Sequence, residues 1–98
     1  MENIEKLLNA IVADYARYSK DVDRVKTFSE DIQLLKGKKY YKIVRASGGV
    51  WGFIQIKNDN KFKAGDILKA AGWATPARNF ARGNVIEENF QNVRWTGA

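Results

Sequence analysis

The chain has 98 residues, 45% of them hydrophobic and 12% aromatic, which suits one globular domain with a thin core and excludes a disordered chain. It has no Cys and no His, so disulfides, Cys–His or Ser-His-Asp catalysis and a thiolate or imidazole zinc site are all excluded. The net charge of +6 is segregated: residues 1–36 carry six Lys+Arg against seven Asp+Glu, and residues 37–98 carry eleven against four.

A field of that sign concentrates anionic partners around the second part of the chain. No apolar run is long enough for a membrane span. The opening Met1-Glu2-Asn3-Ile4-Glu5-Lys6 lacks the basic and apolar regions of a secretion signal. No carboxylate pair is spaced to hold a metal, and no cofactor is expected.

Residues 2–36 contain neither Gly nor Pro. Ile4, Ile11, Tyr18, Val25 and Ile32 recur every seven residues, and Leu8, Tyr15 and Val22 fill a second stripe until Ser29 breaks it. One reading is a single helix of about 34 residues, roughly 50 Å long. The other is a helical hairpin, broken near Ser19-Lys20-Asp21 or at the capping-box pattern Thr27-Phe28-Ser29-Glu30. The unbroken heptad favours the single helix, which the remaining residues cannot cover, so this reading implies a homo-oligomer joined through residues 1–36.

Gly37 closes the helical part. Residues 40–46 and 50–57 are rich in β-branched and aromatic side chains, and Ser47-Gly48-Gly49 between them is a hairpin signal. Alternation puts Val50, Gly52, Ile54 and Ile56 on one face and Trp51, Phe53, Gln55 and Lys57 on the other, where Trp51 or Phe53 is available for stacking. Asn58-Asp59-Asn60 is a turn.

Residues 63–84 hold the only proline and three of the eight glycines. Two short helices are expected here. Asp66 caps one over residues 67–71, ended by Gly72; Thr75 and Pro76 open another, ended by Gly83. On that second helix Arg78 and Arg82 lie four apart, about 5–6 Å between Cβ atoms, a spacing that can clamp one phosphate or carboxylate. Residues 84–87 form a short strand, residues 88–92 a polar loop and residues 93–96 a last strand. The expected fold is α+β, with an N-terminal helical part beside a small, mainly antiparallel sheet carrying short inserted helices.

Three runs carry a resemblance: Trp51-Gly52-Phe53-Ile54, the stretch from Gly65 to Asn84, and the terminal Trp95-Thr96-Gly97. In these the chain resembles a family of small, mostly uncharacterised bacteriophage accessory proteins over residues 40–98. The resemblance implies a phage protein acting in the host bacterial cytoplasm, where small phage proteins inhibit host enzymes or sequester nucleotide immune signals.

From the residues themselves, the expected activity is non-enzymatic binding of a small phosphorylated nucleotide. Arg78 and Arg82 would grip phosphate, with Lys69 and Lys63 beside them. Trp73 or Phe80 would stack on a base, with Trp51 a further candidate on the sheet, and Asn79 and Asn84 would read a base or ribose edge. Plainer roles are open to them: Phe80 and Trp73 as core, the arginines as a solvated face, Asn84 as a turn residue. Two alternatives stand beside this reading. Basic strands interleaved with aromatics suit a single-stranded or duplex nucleic-acid binder. The stripe at Tyr15, Tyr18 and Val22 suits a protein–protein inhibitor of a host factor. An enzyme is the least expected class, since Asp59, Asp66, Glu87 and Glu88 are the only acids among the basic residues.

Overall fold

The helical run stops earlier than its heptad suggests. In the computed structural model, which describes residues 1–98, α1 spans Ile4–Tyr18 and α2 spans Val22–Asp31. The break falls at residues 19–21. Ser19 is extended (φ −103°, ψ 129°), and Asp21 caps α2 by accepting the N–H groups of Asp23 at 2.9 Å and Arg24 at 3.3 Å through Oδ1. The single helix is therefore replaced by the hairpin. Tyr18 and Val22, which the longer helix would have placed on its seam, are 69% and 80% exposed at the bend. The partner chain that a long helix demanded loses its reason, because this chain's own sheet covers Leu7, Ile11 and Phe28.

The last five residues assigned to the helical part are a strand. α2 runs directly into β1, Ile32–Lys36, which pairs antiparallel with β2, Tyr40–Arg45. Ile-Gln-Leu-Leu-Lys fits both periods, and the ladder to β2, unavailable to a lone helix, decides between them. Asp31 locks this corner. Its Oδ2 accepts the Ser47 hydroxyl at 2.7 Å, its Oδ1 accepts the Ser47 N–H at 2.9 Å, and Arg45 pairs with it at 3.3 Å. The Ser47 hydroxyl above all holds the Asp31 carboxyl below its usual range.

β3, Val50–Gln55, and β4, Ile67–Leu68, complete a four-stranded antiparallel sheet in the order β1-β2-β3-β4. The β2–β3 turn is made where expected, at Gly48 and Gly49, whose φ values of 122° and 100° few other residues tolerate. The register slips between Ile43 and Val44, which face Gly52 and Val50. This bulge turns Trp51 to the helix side, against simple alternation. There Trp51 packs with Ile43, Ile54 and Ile67 beneath α1 and α2, while Phe53, Phe62 and Leu68 make a second cluster on the opposite face. Both Trp51 and Phe53 are buried, so neither is a free stacking platform.

The inserted helices do not form. Ile67 sits between two neighbours: β3 on one edge, and on the other residues 82–83, where Ile67 accepts the Arg82 N–H at 2.7 Å and donates to Gly83 O at 3.0 Å. Asp66 accordingly caps nothing. It accepts the Lys63 N–H at 3.0 Å and Asn84 Nδ2 at 2.9 Å. Residues 69–77 close a hairpin-like loop in which Lys69 O accepts the Ala77 N–H at 2.7 Å and Ala71 donates to Thr75 O at 2.9 Å. Pro76 is buried. Residues 84–87 and 93–96 are not strands either. Single bridges join Asp66 to Asn84, Asn84 to Asn89 and Arg94 to Gly97.

The C-terminal segment is tied to the helices by aromatic contact. The Tyr15 ring stacks on Phe28 at 4.3 Å, and Trp95 meets Tyr15 edge-on at 5.0 Å. The Trp95 N–H also donates to Asp14 Oδ2 at 2.8 Å, the main reason the Asp14 carboxyl lies below its usual range.

Candidate anion-binding cleft

The two arginines expected to act together are separated. With no helix between residues 76 and 83, the four-residue spacing loses its geometric meaning. Arg78 is turned inward as a strut. Its Nη2 donates to Asp59 Oδ2 at 2.7 Å, its Nη1 to Tyr40 Oη at 2.8 Å, and its guanidinium lies 4.7 Å from the Phe62 ring centroid. Asp59 in turn accepts the N–H groups of Phe62 and Lys61 at 2.8 and 2.9 Å; these, ahead of Arg78, hold its carboxyl far below the carboxylate range. The bond to Asp59 raises Arg78 correspondingly.

Arg82 lies elsewhere, in an open cleft of about 460 Å³ between residues 80–82 and the C-terminal segment. That volume falls within the range of small-molecule sites, about 300–1,000 Å³. Lys69, Phe80, Asn92, Arg94 and Thr96 line it with Arg82. The Arg82 guanidinium stacks over Phe80, 4.1 Å from the ring centroid. Its main chain is fixed on both sides: the N–H goes to Ile67 O, and Arg82 O accepts Asn92 Nδ2 at 3.2 Å. Gly83 lets this wall close up, since a Cβ there would collide with the Asn89 carbonyl. Arg94 is held by its Nη1, which donates to Gln91 O at 3.0 Å and Val93 O at 2.9 Å. The Trp51 indole N–H donates to Arg94 O at 2.7 Å and anchors the segment.

No side-chain ion pair compensates the cleft's cations, although Arg94 lies near enough to Asp14 to help lower its carboxyl. None of the six ion pairs includes Lys69, Arg82 or Arg94. The four acids of the basic half are all engaged elsewhere: Asp59 with Arg78, Asp66 with Asn84, Glu87 with Lys63 and Glu88 with Lys6. Arg82 Nε is shut off from solvent and has no hydrogen-bond partner. A guanidinium stacked on a ring, with no carboxylate beside it, is arranged to meet an anion from outside.

Of the residues expected to bind ligand, Lys69, Phe80 and Arg82 meet in this cleft and six do not. Arg78 is the strut just described. Lys63 is paired with Glu87 at 2.7 Å. Asn84 is buried and hydrogen-bonded to Asp66, Ala64 and the Glu87 N–H. Asn79 folds back on the Phe80 N–H at 2.9 Å. Trp51 supports the cleft from below as an anchor. Trp73 is exposed, but at the tip of the 69–77 loop with Lys42 against its ring. Arg94, Asn92 and Thr96 were missed as partners of Arg82. The basic-aromatic pair Arg94-Trp95 was their only signal, and nothing local links it to residue 82.

A second depression of about 350 Å³ lies against α2, lined by Tyr15, Phe28, Arg24, Arg45, Asp23 and Asp31 among others. Its cations are matched there by acids, Arg45 by Asp31 directly, so it exerts no comparable pull on an anion.

The fold and this cleft define a small α+β protein with an open basic site whose three cations are in no ion pair. No group of three or more acidic side chains is placed to hold a metal ion, and no helix is long and apolar enough to cross a membrane. The chain belongs to a family of unknown function, DUF7717, whose profile matches residues 1–98, the helical hairpin included. Comparisons with curated proteins and with solved structures found no match.

Proposed function

We propose that the protein is a non-enzymatic binding module for a small phosphorylated ligand of the nucleotide class, held in the cleft of Lys69, Arg82 and Arg94. The observation that carries this reading is the gathering of three cations, none of them in an ion pair, around one cavity. Arg82, fixed by Phe80, presents its edge to phosphate oxygens, and Lys69 adds a mobile point charge. The Thr96 hydroxyl and Asn92 amide serve ribose or base edges. Phe80, 54% exposed, offers a ring to a base. The resemblance to small phage proteins adds a context, sequestration of a nucleotide signal in a host cell.

Calorimetric titration with AMP, ADP-ribose and a cyclic dinucleotide, with inorganic phosphate as control, tests it. At least one nucleotide binds with one-site stoichiometry, and Arg82→Ala weakens it about tenfold or more, as expected for loss of a charge-assisted bond. Unchanged affinity in Arg82→Ala, or no binding by any of the three, overturns the proposal.

A further inference from the structure

The β1–β2 turn carries a second basic surface that the cleft does not use. Lys36, Lys38 and Lys39 crowd this turn, and Lys42 follows on β2, paired across the sheet with Leu35. None of the four is in an ion pair. They border a shallow depression of about 320 Å³ together with Tyr40 and Ala74. Against it stands Trp73, 62% exposed, with Lys42 Nζ 3.9 Å from its ring centroid. Of the three tryptophans it alone is exposed, Trp51 being buried and Trp95 half-buried.

The Trp73 indole stands largely in water, held by the Lys42 ammonium against its ring and not by the core. Rings beside unpaired lysines make a platform on which a base stacks while its phosphates meet the cations. The bases of a duplex have no free face to offer, and an acidic peptide has no use for the indole. The geometry points to a strand-binding surface: single-stranded nucleic acid runs past Lys36, Lys38, Lys39 and Lys42 and stacks an unpaired base on Trp73.

Fluorescence anisotropy with a labelled 12-nucleotide single strand, read across salt concentrations, tests this. For three or four phosphates neutralised, log K falls with log salt with a slope of about −2 to −3. Lys38→Ala with Lys39→Ala flattens the slope by about 1.4. Trp73→Ala weakens binding about fivefold or more, while its calorimetric response to nucleotides at the cleft stays that of the wild type. All of these side chains are on the surface, and matching melting curves show that the variants fold. The inference is overturned if a duplex or an acidic peptide of equal charge binds as tightly, or if Trp73→Ala binds the strand like the wild type.

Discussion

Asn84→Ala distinguishes an internal hub from a ligand-reading side chain. Asn84 is 3% exposed. Its Nδ2 donates to Asp66 Oδ1 at 2.9 Å and Ala64 O at 3.1 Å, and its Oδ1 accepts the Glu87 N–H at 2.9 Å. Truncation strands a buried carboxylate oxygen and a half-buried carbonyl and N–H. Two neutral bonds at about 1 kcal/mol each and one to a charged group at about 2 kcal/mol give a sum near 4 kcal/mol. Water reaching the half-buried groups lowers the expected loss to about 3 kcal/mol. In a domain of this size that corresponds to a fall of roughly 12–24 °C in Tm. Urea unfolding followed by far-UV circular dichroism measures the loss, and an unchanged m-value shows that the same surface is exposed on unfolding. Asn84→Asp sharpens the test. It sets a second carboxylate against Asp66, so its deficit relative to the wild type is greatest at neutral pH and shrinks as protons return. A loss under about 1 kcal/mol in Asn84→Ala, accompanied by lost nucleotide binding, would refute the hub and restore Asn84 as a ligand contact.

Asp59 sets part of the acid limit. Its folded pKa is depressed from an ordinary 3.8 by the N–H groups of Phe62 and Lys61 and by Arg78, so its contribution is complete above that value and is lost as the pH falls below it. Asp59→Asn therefore starts less stable at neutral pH and loses less than the wild type below pH 4, read from urea midpoints across the range. Parallel curves for the two proteins would remove Asp59 from this role. Ile54, fully buried where β3 meets the helices, tests the core: Ile54→Ala costs about 2–5 kcal/mol in the same unfolding assay, and a cost under 1 would place the core elsewhere.

Local signals were legible where the chemistry is local. The hairpin at Gly48 and Gly49 needs only its two positive φ values, and it lies where the sequence places it. The α+β class follows from an amphipathic stretch ahead of β-branched runs. Charge segregation needs no geometry at all. Asp21 also marked one candidate break, yet the continuous heptad outweighed it, because periodicity records which residues are apolar and not whether a cap competes with the next turn.

Residues 32–36 and 67–68 took their strand form from partners distant in sequence. Ile32 faces Arg45, and Ile67 faces Ile54, so backbone pairing across the sheet overrode local helix signals. The same cause moved the candidate site. Arg78 and Arg82 are near neighbours in sequence, but the irregular path of residues 76–83 sends one to Asp59 and the other to a cleft with Lys69 and Arg94. The sequence by itself determined that the second part of this chain is basic, rich in rings and poor in acids. Only the tertiary structure decided which cations have their charge compensated by an internal carboxylate and which stay outside any ion pair, because that depends on contacts between residues the chain order leaves far apart.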